Sequence, residues 1–191
     1  MTRPLTDLQL ETSRLILRPW RDSDRAPFAA MNADPEVMTY FASTMTPEES
    51  DEAIAGFQAA YDRDGFSFLT AQLRSTGAFA GIIGAQTMRD VVPNLPQPAV
   101  EIGWRLPRAF QGQGLATEGA RATVDFAFST LNLKEVVAVT ALGNQPSRRV
   151  MEKLNMTHRR DLEFDHPRMP AGHPHQRHAL YQVCNPLAPS T

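Results

Sequence analysis

The feature that constrains this chain most strongly is a turn with two glycines, Gln111-Gly112-Gln113-Gly114. It follows an apolar run typical of a strand, Val100 to Leu106, and precedes a longer run with helical periodicity, Leu115 to Leu131. Because glycine has no Cβ, backbone amides in such a turn can converge on one point. The helix that follows adds unpaired N–H groups and the positive end of its dipole. The sequence therefore predicts a strand, turn and helix that together can bind a phosphate group.

Two nucleotide-binding motifs use a turn of this kind, and neither fits the flanking residues. A P-loop ends in Gly-Lys-Ser/Thr, whereas Gly114 is followed by Leu115 and Ala116. A dinucleotide fingerprint needs a third Gly or Ala, where this chain has Thr117, and an acidic residue about 20 positions later. Asp125 is too close and lies within the helical run. The turn alone leaves two interpretations open: a site for another diphosphate cofactor, or a connection that binds nothing.

Several separated motifs, in order along the chain, resemble those of the GNAT acetyltransferases, specifically the Rim-type N-acetyltransferase branch. The segments that carry the resemblance are Leu10 to Pro19, Glu101 to Trp104, Gln111 to Glu118, Asn144 to Ser147 and Glu152 to Met156. Two positions depart from the family pattern. Ala109 stands where Gln or Arg is usual, and Asn155 replaces a usual Gly. Asn also tolerates the left-handed backbone that is expected at a helix end.

The resemblance implies a GNAT fold of the α/β class (α+β type), with residues 1–191 forming one domain. In this fold a mixed, mostly antiparallel sheet of about seven strands is flanked by helices on both faces. The resemblance also implies that the glycine turn binds the pyrophosphate of acetyl-CoA, the cosubstrate, and that no metal takes part. The residues that it places at the cofactor are Trp104, Leu106, Gln111, Gly112, Gln113, Gly114, Leu115, Ala116 and Asn144. Trp104 and Leu106 would contribute backbone groups.

Two side chains are candidates for acid–base chemistry in an acetyl transfer. The acceptor amine must lose a proton, and the departing CoA thiolate must gain one. Glu101 opens the strand that leads into the turn and is the candidate general base, with a surface or ion-paired carboxylate as an equal alternative. The resemblance places Ser147 where a hydroxyl could protonate the thiolate. Helix capping is the competing interpretation for both Ser147 and Asn144.

The sequence does not specify the acceptor. The Rim-type resemblance implies a protein N-terminal α-amine, and the same branch includes enzymes that act on small amines, polyamines and amino-acid antibiotics. The aromatic residues that could line an acceptor cleft are Trp20, Phe28, Tyr40, Phe41 and Trp104, with burial in the core as the competing interpretation. Two hypotheses from other classes are a non-catalytic acyl-CoA sensor and a nucleotide-binding regulator.

Composition limits the classes of function. A formal net charge of −2 gives no support to a general nucleic-acid-binding protein. No apolar run is long enough to span a bilayer and no N-terminal stretch resembles a signal peptide, so the expected compartment is the cytoplasm. The single Cys184 excludes an internal disulfide framework and is expected to be a buried apolar residue near a strand end. A homodimer is compatible with the resemblance.

Four histidines, His166, His173, His175 and His178, cluster in a segment rich in proline and glycine. Zinc usually takes well-ordered ligands at characteristic spacings, and an irregular connection does not favour them, so no metal site is predicted. The segment resembles a loop that borders the acceptor cleft in some GNAT proteins of this branch. A role in substrate access is therefore a hypothesis beside that of a plain surface loop.

Periodicity and end signals predict the order of the elements. The predicted strands are 8–20, 66–73, 79–88, 100–106, 135–142, 157–164 and 178–183, with a loop at 91–98. The predicted helices begin at Asp22 or Ser23, Asp34, Pro47, Leu115 and Asn144 and end near Met31, Tyr40, Arg63, Leu131 and Leu154. The helix from Pro47 has the clearest signals, because Thr46 to Glu49 form a capping box and Asp64-Gly65 follow its end.

Overall fold

The computed structural model describes residues 8–89 and 91–188, within which nine strands form one sheet. The strands are β1 Leu10–Glu11, β2 Leu15–Arg18, β3 Phe68–Leu73, β4 Phe79–Met88, β5 Ala99–Arg105, β6 Glu135–Ala141, β7 Thr157–His158, β8 Phe164–Asp165 and β9 Arg177–Cys184. The α-helices are α1 Arg25–Ala33, α2 Pro47–Asp64, α3 Leu115–Ser129 and α4 Gln145–Lys153. None of these helices has both the length and the apolar character of a membrane span.

The sheet is mixed and mostly antiparallel, as predicted. Its order is β1-β2-β3-β4-β5-β6-β9-β7, and β8 also pairs with β9. The parallel pair is β5 with β6, and its register joins one pair of residues, Glu101 and Val137. On its other side β5 pairs with β4 along its whole length, from Ala99 to Arg105. Beyond Glu101 the edge of β5 that faces β6 therefore has no registered strand partner, and we call this gap the β5–β6 opening.

Helices cover both faces of the sheet. On the α3 face, α3 and α4 pack against inward residues such as Ile83 and Ile102. On the α1 face, α1 and α2 pack through Phe28 and Ile54 against Ile82 of β4. A separate apolar cluster on the α1 face covers β6 and β9, and its buried members are Met88, Val92, Leu95, Val137, Phe164 and Leu180. The side chains of β5 on the α1 face lie between these two clusters.

Local signals place the ends of α2 where the sequence predicts them. The Thr46 hydroxyl accepts from the Glu49 N–H, and the Glu49 carboxylate accepts from the Thr46 N–H. Pro47 occupies the first turn, where its missing N–H costs nothing, and Gly65 ends the helix with a φ of 80°.

Four predictions about local structure are wrong. The strand predicted over 8–20 is two antiparallel strands, β1 and β2, because hydrogen bonds between Thr12 and Leu15 reverse the chain. The helix predicted from Asp34 is a set of turns, and the strand predicted over 157–164 divides into β7, a 3-10 turn and β8. Cys184 is exposed rather than buried, because it occupies the last position of β9, outside the apolar clusters.

A buried ion pair joins β2 to the start of α1. The Arg18 guanidinium donates to both carboxylate oxygens of Asp24, at 2.8 and 2.9 Å, and the two side chains are 6% and 4% exposed. Asp24 also accepts from the Thr70 hydroxyl and the Arg21 N–H. Burial alone would raise the pKa of Asp24, but the hydrogen bonds from Arg18 and its other partners lower that pKa below its ordinary value.

We expect Asp24→Ala to reduce the free energy of unfolding by about 3–5 kcal/mol, because Arg18 would remain buried without its partner. Urea unfolding measures the change. Asp22→Ala is the matched control, since the Asp22 side chain is fully exposed, and it should change stability by about 0.5 kcal/mol or less. Similar losses in the two variants would contradict this role for the Arg18–Asp24 pair.

Candidate active site

The glycine turn has the backbone geometry of an anion site. Gly112 and Gly114 have φ values of 72° and 79°, a left-handed conformation that L-residues with side chains rarely adopt. Gly114 is the N-cap of α3, and no side chain caps the first turn of that helix. No described atom lies within 4 Å of the point where a Gly112 Cβ would stand. The N–H groups at the start of α3 are therefore available to a ligand beside an open surface.

Both glutamine side chains of the turn brace the turn itself. The Gln111 side-chain amide donates to the Leu106 carbonyl at 2.9 Å, and that of Gln113 donates to the Ala109 carbonyl at 2.6 Å. The first bond ties the turn to the residue that follows β5, and the second ties it to the 3-10 turn Arg108–Phe110. Backbone amides, rather than the two side chains, are thus the groups in this turn that can face an anion.

Glu118, in the first turn of α3, holds the glycine turn against the connection between β1 and β2. Its carboxylate accepts from the hydroxyls of Thr12 and Ser13 at 2.6 and 2.9 Å and from the N–H and guanidinium of Arg14 at 2.8 and 2.6 Å. Arg14 also donates to the Gln113 carbonyl at 2.9 Å. We call these five residues the Glu118 clamp. Burial opposes ionisation of Glu118, but the hydrogen bonds outweigh it and lower the pKa of Glu118 to about 2.

Glu101 lies where the β5–β6 opening begins. It pairs with Val137 on one side and with Gln86 of β4 on the other. Since the next residue, Ile102, packs in the core of the α3 face, the Glu101 side chain projects from the α1 face. It is half-buried, and burial raises its pKa to about 7, opposed by the positive charge of Arg168. A carboxyl group with this pKa can accept and release a proton near neutral pH.

Asn144 and Ser147 lie at the start of α4, beyond the far end of β6. The Asn144 side chain accepts from the Ser147 N–H at 3.2 Å and donates to the Thr140 hydroxyl at 2.9 Å, so its predicted capping role is present. Ser147 is half-buried. Strand β6 runs from the level of Glu101, at Val137, to Ala141, and α4 begins at Gln145. The hydrogen bonds of the described residues join Ser147 to Asn144 and not to Glu101.

Trp104 and Leu106 meet the α3 face, where Trp104 packs against the core and Leu106 is buried. Both residues are predicted to contact the cofactor through backbone groups. Trp104 lies on the part of β5 whose edge has no registered partner on β6. The Leu106 carbonyl is already occupied by Gln111. As a wall of the acceptor cleft, Trp104 is on the wrong face, and Phe28 is fully buried in the core.

The α1 face of β5 carries a row of three residues, Glu101, Gly103 and Arg105. The Phe68 ring lies against the middle of the row, since a Cβ on Gly103 would come within 2.8 Å of that ring. The Phe41 ring lies against Arg105, 4.1 Å from its guanidinium carbon. The row therefore combines a carboxylate, an apolar centre and a guanidinium on one strand.

Two segments flank this row, and they also touch each other. The connection between α1 and α2 reaches Arg105 through Phe41, and the loop between β8 and β9 brings the charge of Arg168 near Glu101. Tyr40 of the first segment and His175 of the second have ring centroids 5.0 Å apart. The row and these two segments therefore lie close together on the α1 face. That the histidine-rich loop borders an acceptor cleft stays a prediction.

The four histidines form two pairs. The rings of His166 and His178 are 4.7 Å apart, and those of His173 and His175 are 5.7 Å apart. Burial lowers the pKa of His166 to about 4, so its ring is neutral at neutral pH, and burial also lowers the pKa of His178. Across residues 8–89 and 91–188, no group of three His, Cys, Asp or Glu side chains is placed to hold a metal ion.

We expect Glu118→Gln to reduce the free energy of unfolding by about 1–2 kcal/mol at pH 7, less than the full pKa shift implies because solvent screens the half-exposed Arg14. The pKa of Glu118 is lowered in the folded protein, so this stability is complete above about pH 4.5 and is lost as the pH falls toward 2. Urea unfolding at pH 7 and pH 3 measures the effect.

Glu48→Gln is the matched control, because Glu48 is an exposed carboxylate in the first turn of another helix, α2. It should change stability by about 0.5 kcal/mol or less at either pH. A loss for Glu118→Gln that is no larger than this, or that does not shrink at low pH, would contradict the clamp.

This chain is similar to known proteins in sequence and in fold. Residues 14–157 match the family model described as an acetyltransferase (GNAT) domain. The FsC-acetyl coenzyme A-N(2)-transacetylase of Aspergillus fumigatus is 33% identical over 155 residues, which are 78% of this chain and 65% of that protein. A solved acetyltransferase from Agrobacterium tumefaciens has a TM-score of 0.74 and 27% identity, covering 92% of this chain and 94% of its own.

RimL, a ribosomal L7/L12 alpha-N-protein acetyltransferase solved in complex with coenzyme A, has a TM-score of 0.72. The superposition covers 93% of this chain and 98% of that one. At 16% identity this similarity shows that the two proteins share a fold, in agreement with the fold class predicted from the sequence.

Proposed function

Because the chain belongs to the GNAT acetyltransferase family, we propose that it transfers the acetyl group of acetyl-CoA directly to a primary amine. The observation that carries the proposal is the β5–β6 opening, which begins at Glu101 and runs toward the glycine turn. An extended thioester bound along this opening would have its diphosphate at the turn and its acetyl group toward Glu101.

Backbone groups hold the cofactor in this proposal. The amides from Gly112 to Ala116 face the diphosphate, and the dipole of α3 adds to their attraction. The pantetheine arm lies along the unpaired edge of β5, where Trp104 and Leu106 offer backbone groups as a neighbouring strand would. Asn144, at the start of α4, contributes a further contact to the pantetheine arm. The Aspergillus relative, whose name specifies acetyl coenzyme A, supports the choice of cofactor.

The transfer itself requires two proton movements. The acceptor amine gives a proton to Glu101, directly or through a water molecule, and its nitrogen attacks the thioester carbonyl carbon. The carbon–sulfur bond then breaks, its electron pair stays on sulfur, and the thiolate takes a proton from Ser147, which recovers one from solvent. The products are an amide and free CoA.

The acceptor in this proposal belongs to one of two classes. The Rim-type motifs of the sequence favour the α-amine of a protein N-terminus. A small-molecule amine is the second candidate, favoured by the 33% identity to the Aspergillus relative, whose name describes an N(2)-transacetylase.

We expect Glu101→Gln to lower kcat/KM by about 10²–10⁴-fold, the usual contribution of a positioned general base. The carboxylate form of Glu101 accumulates as the pH rises through about 7, so wild-type kcat/KM should rise across that range, and the variant should lose this rise. The assay detects free CoA thiol, with an acceptor whose own amine pKa lies well above 7.

Glu135→Gln is the matched control, since Glu135 is an exposed carboxylate at the start of β6. Acetyl-CoA must still raise the unfolding temperature of Glu101→Gln, which separates lost chemistry from lost binding. Unchanged turnover in Glu101→Gln would remove Glu101 as the base. Stabilisation by acetyl-CoA without turnover of any amine would favour a sensor, and stabilisation by ATP or NAD instead of CoA would favour a nucleotide-binding regulator.

A further inference from the structure

Arg105 is a cation on the α1 face of β5 that has no acidic partner among residues 8–89 and 91–188. Its Nη1 donates to the Asn32 side-chain oxygen at 2.6 Å and lies 3.9 Å from the Met45 sulfur. Its Nε is buried without an acceptor, and no acceptor is present for Nη2 in the same part of the chain. Burial lowers the pKa of Arg105 to about 10, so the group is still charged at neutral pH.

The buried Arg18 shows which partners the half-buried Arg105 lacks. Arg18 is bound on both Nη atoms by Asp24 and donates from Nε to the Gln72 side chain at 2.8 Å. A buried guanidinium normally needs such partners, because removing its charge and donors from water is costly. Arg105 has one amide, one sulfur and one ring in their place. Its Nε and Nη2 therefore have no acceptor among the described residues.

The unused donors are held in a fixed orientation. Asn32, fully buried, donates its side-chain amide to the Ser50 hydroxyl at 3.1 Å, which directs its oxygen to Arg105. The Phe41 ring lies 4.1 Å from the guanidinium carbon and limits rotation of the plane. With Nη1 anchored and Nε buried, Nη2 is the nitrogen left to a ligand. A carboxylate oxygen can accept from its N–H groups in a charge-assisted hydrogen bond.

The position of Arg105 relative to Glu101 suggests what would carry that carboxylate. The two residues lie on the same face of β5, with their Cα atoms about 13 Å apart. Between them, Gly103 has no side chain and the Phe68 ring provides an apolar surface. A molecule lying along this row would present one end to a carboxylate base and the other to a guanidinium.

We propose that the acceptor is an amino carboxylate, whose amine is directed to Glu101 while its carboxylate binds Nη2 of Arg105. This inference rests on the proposed acetyl transfer and narrows its acceptor: polyamines and amines without an anionic group fit the row less well. The apolar spacer between amine and carboxylate lies against Phe68, so longer ω-amino acids fit better than glycine.

Equilibrium binding tests the inference without turnover. The probes are the N-acetyl derivatives of glycine, 4-aminobutyrate and 6-aminohexanoate, each compared with its carboxamide, titrated into the CoA-saturated protein by calorimetry. We expect the best carboxylate to bind at least about tenfold tighter than its amide, as one charge-assisted hydrogen bond would give. In Arg105→Gln this preference should fall below about twofold. Arg105→Lys keeps the charge but lacks the planar guanidinium, so its preference should be intermediate. Arg25→Gln, which removes an exposed arginine of α1 paired with Asp51, is the control and should keep the full preference.

Equal or undetectable binding of every carboxylate and its amide to the wild type would overturn the inference, as would a preference that persists in Arg105→Gln. If Arg105→Gln does not fold, Arg105→Lys decides. A thiol-release assay with the unacetylated ω-amino acids is run in parallel. Selective binding of the acetylated carboxylates without release of CoA from any amine would refute the acetyl transfer while leaving the carboxylate site in place.

Discussion

The single registered pair between β5 and β6 is the constraint on which the candidate site depends. Strand β5 is fixed by β4 along its whole length, so it cannot follow β6 as the two strands separate. Backbone groups along the free edge of β5 need partners, because unpaired N–H and C=O groups are costly when buried. An extended ligand can supply them in the way that a neighbouring strand would. The cofactor of the proposed function has such an extended arm between its diphosphate and its thioester.

The glycine turn acts at the end of this opening because other parts of the chain hold it there. Two glutamine side chains brace it against β5, and the Glu118 clamp ties it to the connection between β1 and β2. The clamp joins two of the segments that carry the family resemblance, which are 104 residues apart in the sequence. The two segments are thus linked by one carboxylate, that of Glu118. It accepts from donors in a turn far away in the sequence, and it fixes the start of α3.

The sequence predicted correctly those features that depend on residues close together in the chain. The capping box at Thr46, the left-handed glycines of the turn and the capping position of Asn144 all depend on residues within one or two turns of chain. The pattern also placed Glu101 at the start of β5, but its raised pKa depends on burial and on Arg168, which comes from a distant loop. The division of the first predicted strand was missed because one pair of hydrogen bonds, between Thr12 and Leu15, overrides an alternating pattern.

The row on the α1 face could not be read from the sequence. Arg105 gave no signal, since a single arginine in a strand is usually exposed, and its environment comes from Asn32, Met45 and Phe41 in two earlier segments. One feature could have raised the question: strand alternation places Arg105 on the same face as Glu101, next to a glycine. The aromatic residues were the sequence-based candidates for the acceptor cleft, and two of them, Phe28 and Trp104, pack in the core.

The most direct test of the β5–β6 opening as the cofactor site is hydrogen–deuterium exchange of the backbone amides, with and without saturating CoA. We predict slower exchange at residues 102–106 and 112–116 when CoA is bound, because amides on the free edge of β5 and at the start of α3 would gain acceptors. The paired interior of β3, Phe68–Leu73, should not change. Protection confined to other segments, or none at all with CoA saturating, would contradict the opening as the site of CoA binding.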